Sequence, residues 1–123
     1  MTVDPKYLGI PNICFSLTDK DDSREEEYSR QRIAQGFDES ETWCLASTMA
    51  KFILPRLKAF HKWANVDWEN EHDKPLGDAI PKMIRSFEIL IRDDAAWDWN
   101  DDEQKEYEEG MDLFVEYYLG LWW

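Results

Sequence analysis

The sequence predicts an all-α fold, a three-to-four-helix bundle with an extended N-terminal arm, and three observations carry that expectation. Leu45, Met49, Phe52, Ile53, Leu57 and Phe60 recur at three- and four-residue spacing, as do Ile80, Met83, Ile84, Phe87, Leu90 and Ile91, which places each set on one helix face. Between Asp22 and Gln35 the charges run from Glu25, Glu26 and Glu27 to Arg30 and Arg32, the order that a helix dipole favours. Pro5, Gly9 and Pro11 deny the first residues a long helix, so they read as an arm with room for one short strand in the apolar piece at 13–17. The organisation that follows is an arm over 1–20 and a single helical domain over 21–123.

The first helix is expected from about Asp22 to Gln35, capped by Asp22 or Ser23 and stopped by Gly36. Its apolar face is thin (Tyr28, Ile33, Ala34), which suits a peripheral position. A second helix can start at Asp38, Ser40 or Thr42 and continue to about Trp63. Pro55 removes one backbone hydrogen bond within it, but the apolar spacing passes through unbroken, so a kinked helix is expected. Residues 64–77 read as a loop. A third helix follows over about Asp78 to Arg92, with Pro81 in its first turn, where a missing N–H costs nothing, and Lys82, Arg85 and Arg92 off the core face. The fourth runs from about Asp101 to Leu119, with Tyr107, Met111, Phe114, Val115 and Tyr118 inward. Gly110 in its middle costs about 1 kcal/mol against Ala and marks a close helix crossing.

At 123 residues, the chain can remove about two thirds of its unfolded surface from water. The 15% aromatic content argues against global disorder despite a mean hydropathy of −0.68, provided that the outer surface is densely charged. Each of the seven tryptophans can bury on the order of 200 Å², as a core or an interface anchor. A net charge of −13 argues against direct binding of nucleic acid or an anionic membrane, because those contacts need Lys and Arg to displace counterions. It leaves open a protein that imitates nucleic acid, and also an acidic surface that serves solubility alone. Cys14 and Cys44 are too few for a disulfide framework, and Cys44 falls in an apolar pattern where it should pack as a small hydrophobe. This usage favours a reducing cytoplasm. No apolar stretch reaches the roughly 18 residues needed to span a bilayer, and the N-terminus lacks a signal-peptide pattern.

The stretch Gly36-Phe37-Asp38-Glu39-Ser40-Glu41-Thr42-Trp43, followed by Ala50-Lys51-Phe52-Ile53-Leu54-Pro55-Arg56-Leu57-Lys58-Ala59-Phe60, resembles a family of small uncharacterised bacteriophage proteins. Lys82-Met83-Ile84-Arg85-Ser86-Phe87-Glu88, Glu109-Gly110-Met111-Asp112-Leu113-Phe114 and the closing Leu121-Trp122-Trp123 resemble later segments of the same family. The resemblance covers roughly residues 30–123. It implies a phage-encoded protein acting in the host cytoplasm, and it carries no activity or catalytic residues.

Catalytic and metal motifs are weak. Glu69-x-x-His72 has the spacing of a diiron ligand pair, but such sites need two copies on facing helices. Glu109-x-x-Asp112, with Glu103 and Glu106, resembles the Mg²⁺ carboxylates of all-helical nucleotide pyrophosphatases, although a solvated acidic face explains it better. His61 and His72 lack a nucleophile at any motif spacing, so no catalytic residue, metal site or cofactor is assigned. The strongest feature is the block from Asp93 to Glu116, with eleven carboxylates against Lys105 alone. Its acidic face (Asp101, Asp102, Glu103, Glu106, Glu108, Glu109, Asp112, Glu116), with Trp97, Trp99, Trp122 and Trp123 as aromatic anchors, suits a host protein with a basic surface. The expectation is therefore a counter-defence or host-takeover factor that binds and modulates such a protein. Two alternatives stand beside it. Lys51, Arg56, Lys58 and Lys62 could form an anion pocket in a nucleotide-binding sponge, or the last helix could serve an Mg²⁺-dependent nucleotide hydrolase. The Trp122-Trp123 end could instead mediate a homodimer in a self-assembling accessory phage protein.

Overall fold

The computed structural model describes residues 15–92 and 98–123, and among them every regular element is helical. The protein is an all-α helical bundle whose chain divides into two compact units, Met1–Thr48 and Met49–Trp123. Most of the predicted arm, like its short strand up to residue 14, lies outside the described residues; 15–20 contain neither helix nor strand.

In the first unit, α1 spans Glu25–Gln35. It begins later than the expected Asp22 because the Asp22 carboxylate is engaged by Arg24, accepting from its main-chain amide at 2.8 Å and from its guanidinium at 2.9 and 3.0 Å. Arg24 therefore occupies the cap position and makes no side-chain cap. Gly36 ends the helix in the left-handed conformation (φ 87°), its N–H donating to the Arg32 carbonyl at 2.8 Å. Tyr28 is buried while Ile33 is fully outward, so the thin apolar face narrows to one tyrosine.

Asp38 caps a separate 3₁₀ turn, Glu39–Thr42, rather than the second helix. The Asp38 side chain accepts from the Ser40 amide at 2.9 Å, and the Asp38 amide donates to Glu41 at 2.8 Å. This reciprocal box closes on one tight turn, and α2 starts only at Leu45, running to Trp63 with Pro55 inside it. Cys44 precedes the helix and is exposed, contrary to the buried position expected of it.

The second unit buries Ala50, Leu54 and Leu57 of α2 against Ala79, Ile80, Met83 and Phe87, with Ile53 and Phe60 alongside. Leu45, Met49 and Phe52, expected in the core, are exposed. At about 100° per residue, the 45–49–52 row lies about 140° around the helix from the 50–54–57 row. Large apolar residues populate both rows, and periodicity alone favours the larger side chains over Ala50.

Helix α3 spans Lys74–Leu90, taking in the end of the predicted loop. Pro75, not Pro81, supplies the first-turn proline, and Pro81 sits inside the helix. Trp68 in the connecting turn donates its indole N–H to the His61 carbonyl at 3.2 Å and packs on the core beside Phe60. A Cβ on Gly77 would stand 3.1 Å from the Trp68 Cβ, so the absence of a side chain lets the indole lie against α3.

Helix α4 spans Asp101–Tyr117, and a 3₁₀ turn follows at Tyr118–Gly120. Asn100 and Glu103 form its capping box. Met111, Leu113, Phe114 and Tyr117 pack on the core, whereas Val115 and Tyr118, expected inward, are exposed. The predicted close crossing is present: a Cβ on Gly110 would overlap the Lys82 carbonyl oxygen and lie 2.5 Å from the Ser86 Cβ. The Ser86 hydroxyl seals this approach by donating to the Tyr107 carbonyl at 2.7 Å. No helix among the described residues is long and apolar enough to cross a membrane.

Candidate functional site

The antiparallel packing of α3 and α4 decides how the acidic helix is used. Lys82 pairs with Glu109 at 2.6 Å, Arg85 with Glu106 at 2.7 Å, and Arg92 with Glu103. These pairs follow rising numbers from α3 to Arg92 just after it and falling numbers on α4, so they support the register at the Ser86–Gly110 contact. Hydrogen bonds from Arg92 and the Asn100 amide hold the Glu103 carboxyl below the usual range, and the bond to Glu109 raises the Lys82 ammonium. The partners of the acidic helix thus come from α3 and from Arg92 just after it, not from the basic cluster of α2.

That pairing divides the eight predicted carboxylates. Glu103, Glu106 and Glu109 are paired with Arg92, Arg85 and Lys82. Asp101, Asp102, Glu108, Asp112 and Glu116 are exposed and form no ion pair among the described residues; Glu108 accepts only from the Gln104 amide at 2.9 Å. The helix thus carries one edge of paired carboxylates along its flank with α3 and another edge of unpaired ones.

Beyond its last acidic turn, the same helix becomes apolar on its exposed side. Val115, Tyr118, Leu119, Trp122 and Trp123 are 74%, 59%, 86%, 75% and 64% exposed. Leu121 between them packs on the core and anchors the 3₁₀ turn. Tyr118 is steadied by an edge contact to Phe114 at 5.5 Å between ring centroids. Trp97 lies outside the described residues. Trp99 is half-buried against Tyr107 at 4.8 Å, and its indole N–H, buried at the atom, has no hydrogen-bond partner among the described residues. Trp99 is therefore positioned as packing at the α4 start, apart from the terminal pair.

Of the basic cluster, Lys51, Lys58 and Lys62 lie along one edge of α2 and form no ion pair among the described residues. Arg56 lies on a different edge, donating to the Phe52 carbonyl at 2.8 Å with its guanidinium 3.9 Å from the Phe52 ring centroid. Among the described residues, no group of three or more His, Cys, Asp or Glu is placed to hold a metal ion. Glu69 sits in an exposed turn near Lys74, and the His72 main-chain amide donates to Asn70.

Sequence reasoning missed a polar cluster in the first unit. Asp38 and Ser40 are fully buried, and Glu41 nearly so. The Ser40 hydroxyl donates to Asp38 at 2.5 Å, and Arg32 reaches Asp38 at 2.5 Å, Glu25, and Ser29 at 3.0 Å. The amides of Phe15 and Leu17 donate to Glu41 at 2.7 Å and Ser40 at 2.8 Å. Burial alone would push the Asp38 carboxyl up, but donors from Ser40, Ser16 and Arg32 outweigh it and hold it below the usual range. The available signal was the D-x-x-E spacing of Asp38 and Glu41, a capping box, next to Arg32. Every group in the cluster is satisfied from within, so it is a polar core and not an open site.

Compared with protein-family models, curated proteins and solved structures, the chain matches none.

Proposed function

We propose that this protein is a binding module for a basic protein partner, docked on the outward edge of α4 and the aromatic end that follows it. The supporting observation is the division of the acidic helix. Three carboxylates are ion-paired with Lys82, Arg85 and Arg92, while Asp101, Asp102, Glu108, Asp112 and Glu116 stand exposed without an ion pair among the described residues and lead directly into exposed Val115, Leu119, Trp122 and Trp123. Charges in this arrangement speed encounter and select a cationic partner, and desolvated tryptophans supply the slow-dissociating contact. A nucleic-acid-binding host protein is the partner class that fits an acidic helix edge. In that reading the chain is a phage-encoded counter-defence or host-takeover factor working in the host cytoplasm.

The test is capture of host proteins by tagged chain at low and high salt, using wild type, D101N/D102N/D112N/E116Q and the zipper control E109Q. A basic protein retained at low salt, shed at high salt, lost with the quadruple variant and kept by the control is the expected result. Capture indifferent to both salt and the quadruple variant overturns the reading.

A further inference from the structure

The unit Met49–Trp123 carries two exposed faces of opposite character. On α2, Lys51, Lys58 and Lys62 form one edge, and exposed Met49, Phe52 and Trp63 form the adjoining one, about a third of a turn away. On α4 and the end that follows, Asp112, Glu116 and Glu108 adjoin Val115, Leu119 and the terminal tryptophans. Each face is a charged strip beside an apolar strip. Neither charged strip finds an ion-pair partner among the described residues, although both belong to a unit that elsewhere pairs Lys82, Arg85 and Arg92 with α4 carboxylates.

We infer that this chain self-associates, the lysine and apolar strips of α2 in one copy seating on the acidic and apolar strips of α4 in another. The occupant is a second copy because the complement of each face, in both charge and apolar character, is present on the same chain. A single contact of this kind is head-to-tail, and two made reciprocally close a two-fold dimer. The inference goes beyond the proposed function and constrains it: a copy whose α4 face is covered cannot hold a basic partner there. Self-association and partner capture then compete by mass action, so the chain stores its docking face when abundant and releases it on dilution.

Because a net charge of −13 repels a second copy at long range, charge exchange is a cleaner probe than salt. Sedimentation velocity of the full chain, into the high micromolar range, is run on wild type, on K58E/K62E, on D112K/E116K and on an equimolar mixture of the two variants. Wild type is expected to associate reversibly, and each variant alone at least about tenfold more weakly, since like charges then meet at the contact. The mixture should recover association, although a mixed pair carries the same total charge as two wild-type chains. D112K/E116K is the stringent arm: its lower net charge would strengthen any nonspecific association, whereas the strip-on-strip contact weakens. Recovery in the mixture also shows that both variants are folded. A wild type that stays monomeric, a D112K/E116K variant that associates as well as wild type, or a mixture that fails to recover overturns the inference. A monomeric chain that still captures a basic partner removes this inference alone, and an associating chain that captures none removes the proposed function alone.

Discussion

Replacing Gly110 by alanine sets two effects of opposite sign against each other. Helix propensity favours alanine in a helix interior by about 1 kcal/mol, and at an open site the substitution would stabilise α4 by that amount. At Gly110, however, the new methyl would overlap the Lys82 carbonyl oxygen and stand 2.5 Å from the Ser86 Cβ, where ordinary carbon contacts lie at roughly 3.5–4.0 Å. Neither neighbour is the free end of a long side chain, so α3 and α4 must move apart by about 1 Å. Overpacking of this kind costs about 1–3 kcal/mol. The separation also stretches the Ser86–Tyr107 hydrogen bond, worth about 1 kcal/mol. The expected balance is a loss of about 1–3 kcal/mol, read as a lower urea midpoint at unchanged m-value. Ser86→Gly, which removes one of the two clashing groups along with its hydrogen bond, should cost less in the G110A chain than in wild type. A G110A chain as stable as wild type, or more stable, would refute the close-approach argument, because propensity would then be the whole effect.

Two further outcomes follow from the same geometry. Asp38 and Glu103 both have carboxyls held below their ordinary values, so their contribution is fully present above the ordinary carboxylate range and is lost as pH falls through the lowered values. Thermal melts should therefore be flat from neutral pH to about 5 and drop below about 4; D38N, costing about 1.5–3 kcal/mol as Arg32 loses one of its two carboxylate partners and keeps Glu25, should flatten that acid drop. At the C-terminus, W122A/W123A should leave stability within about 0.5 kcal/mol of wild type while abolishing partner capture, whereas Leu121→Ala should cost about 1–2 kcal/mol, below the range for a fully buried leucine. Equal effects of these two changes on unfolding would mean that the tryptophans are packed in solution.

The all-helical class and the core face of α3 were legible because Ile80, Met83 and Phe87 are large and evenly spaced, with no competing apolar row. On α2 the same reasoning was right for Ile53, Leu57 and Phe60, which pack on the core, but wrong for Leu45, Met49 and Phe52, which are bulkier than Ala50 and stand outside. Close helix packing rewards a small residue at the contact, and composition undervalues small residues. The start of α3 was hidden by two prolines, either of which can open a helix, and only the packing of Trp68 over Gly77 selects Pro75. At the candidate site, the run of carboxylates was visible, but its division into paired and outward edges was not. That division depends on Gly110 setting the α3–α4 register, which brings Lys82 and Arg85 opposite particular glutamates. The cluster around Asp38 read as a helix cap because capping and burial use the same residue types.

The way in which residues 15–17 are held has a consequence for evolution. Glu41 and Ser40 grip this segment through the main-chain amides of Phe15 and Leu17, atoms that every residue except proline possesses. These two contacts are blind to side-chain identity; between them the Ser16 hydroxyl, 3.2 Å from the Ser40 hydroxyl, adds the one side-chain contribution from the segment. Leu17 is itself exposed, so drift at that position can change what the segment displays without loosening its hold, while a proline at 15 or 17 would release it in one step. At positions 15 and 17 the attachment is thus encoded on the receiving side, in Ser40 and Glu41. Substitutions there should be scarce among related chains even where the sequence they hold has diverged.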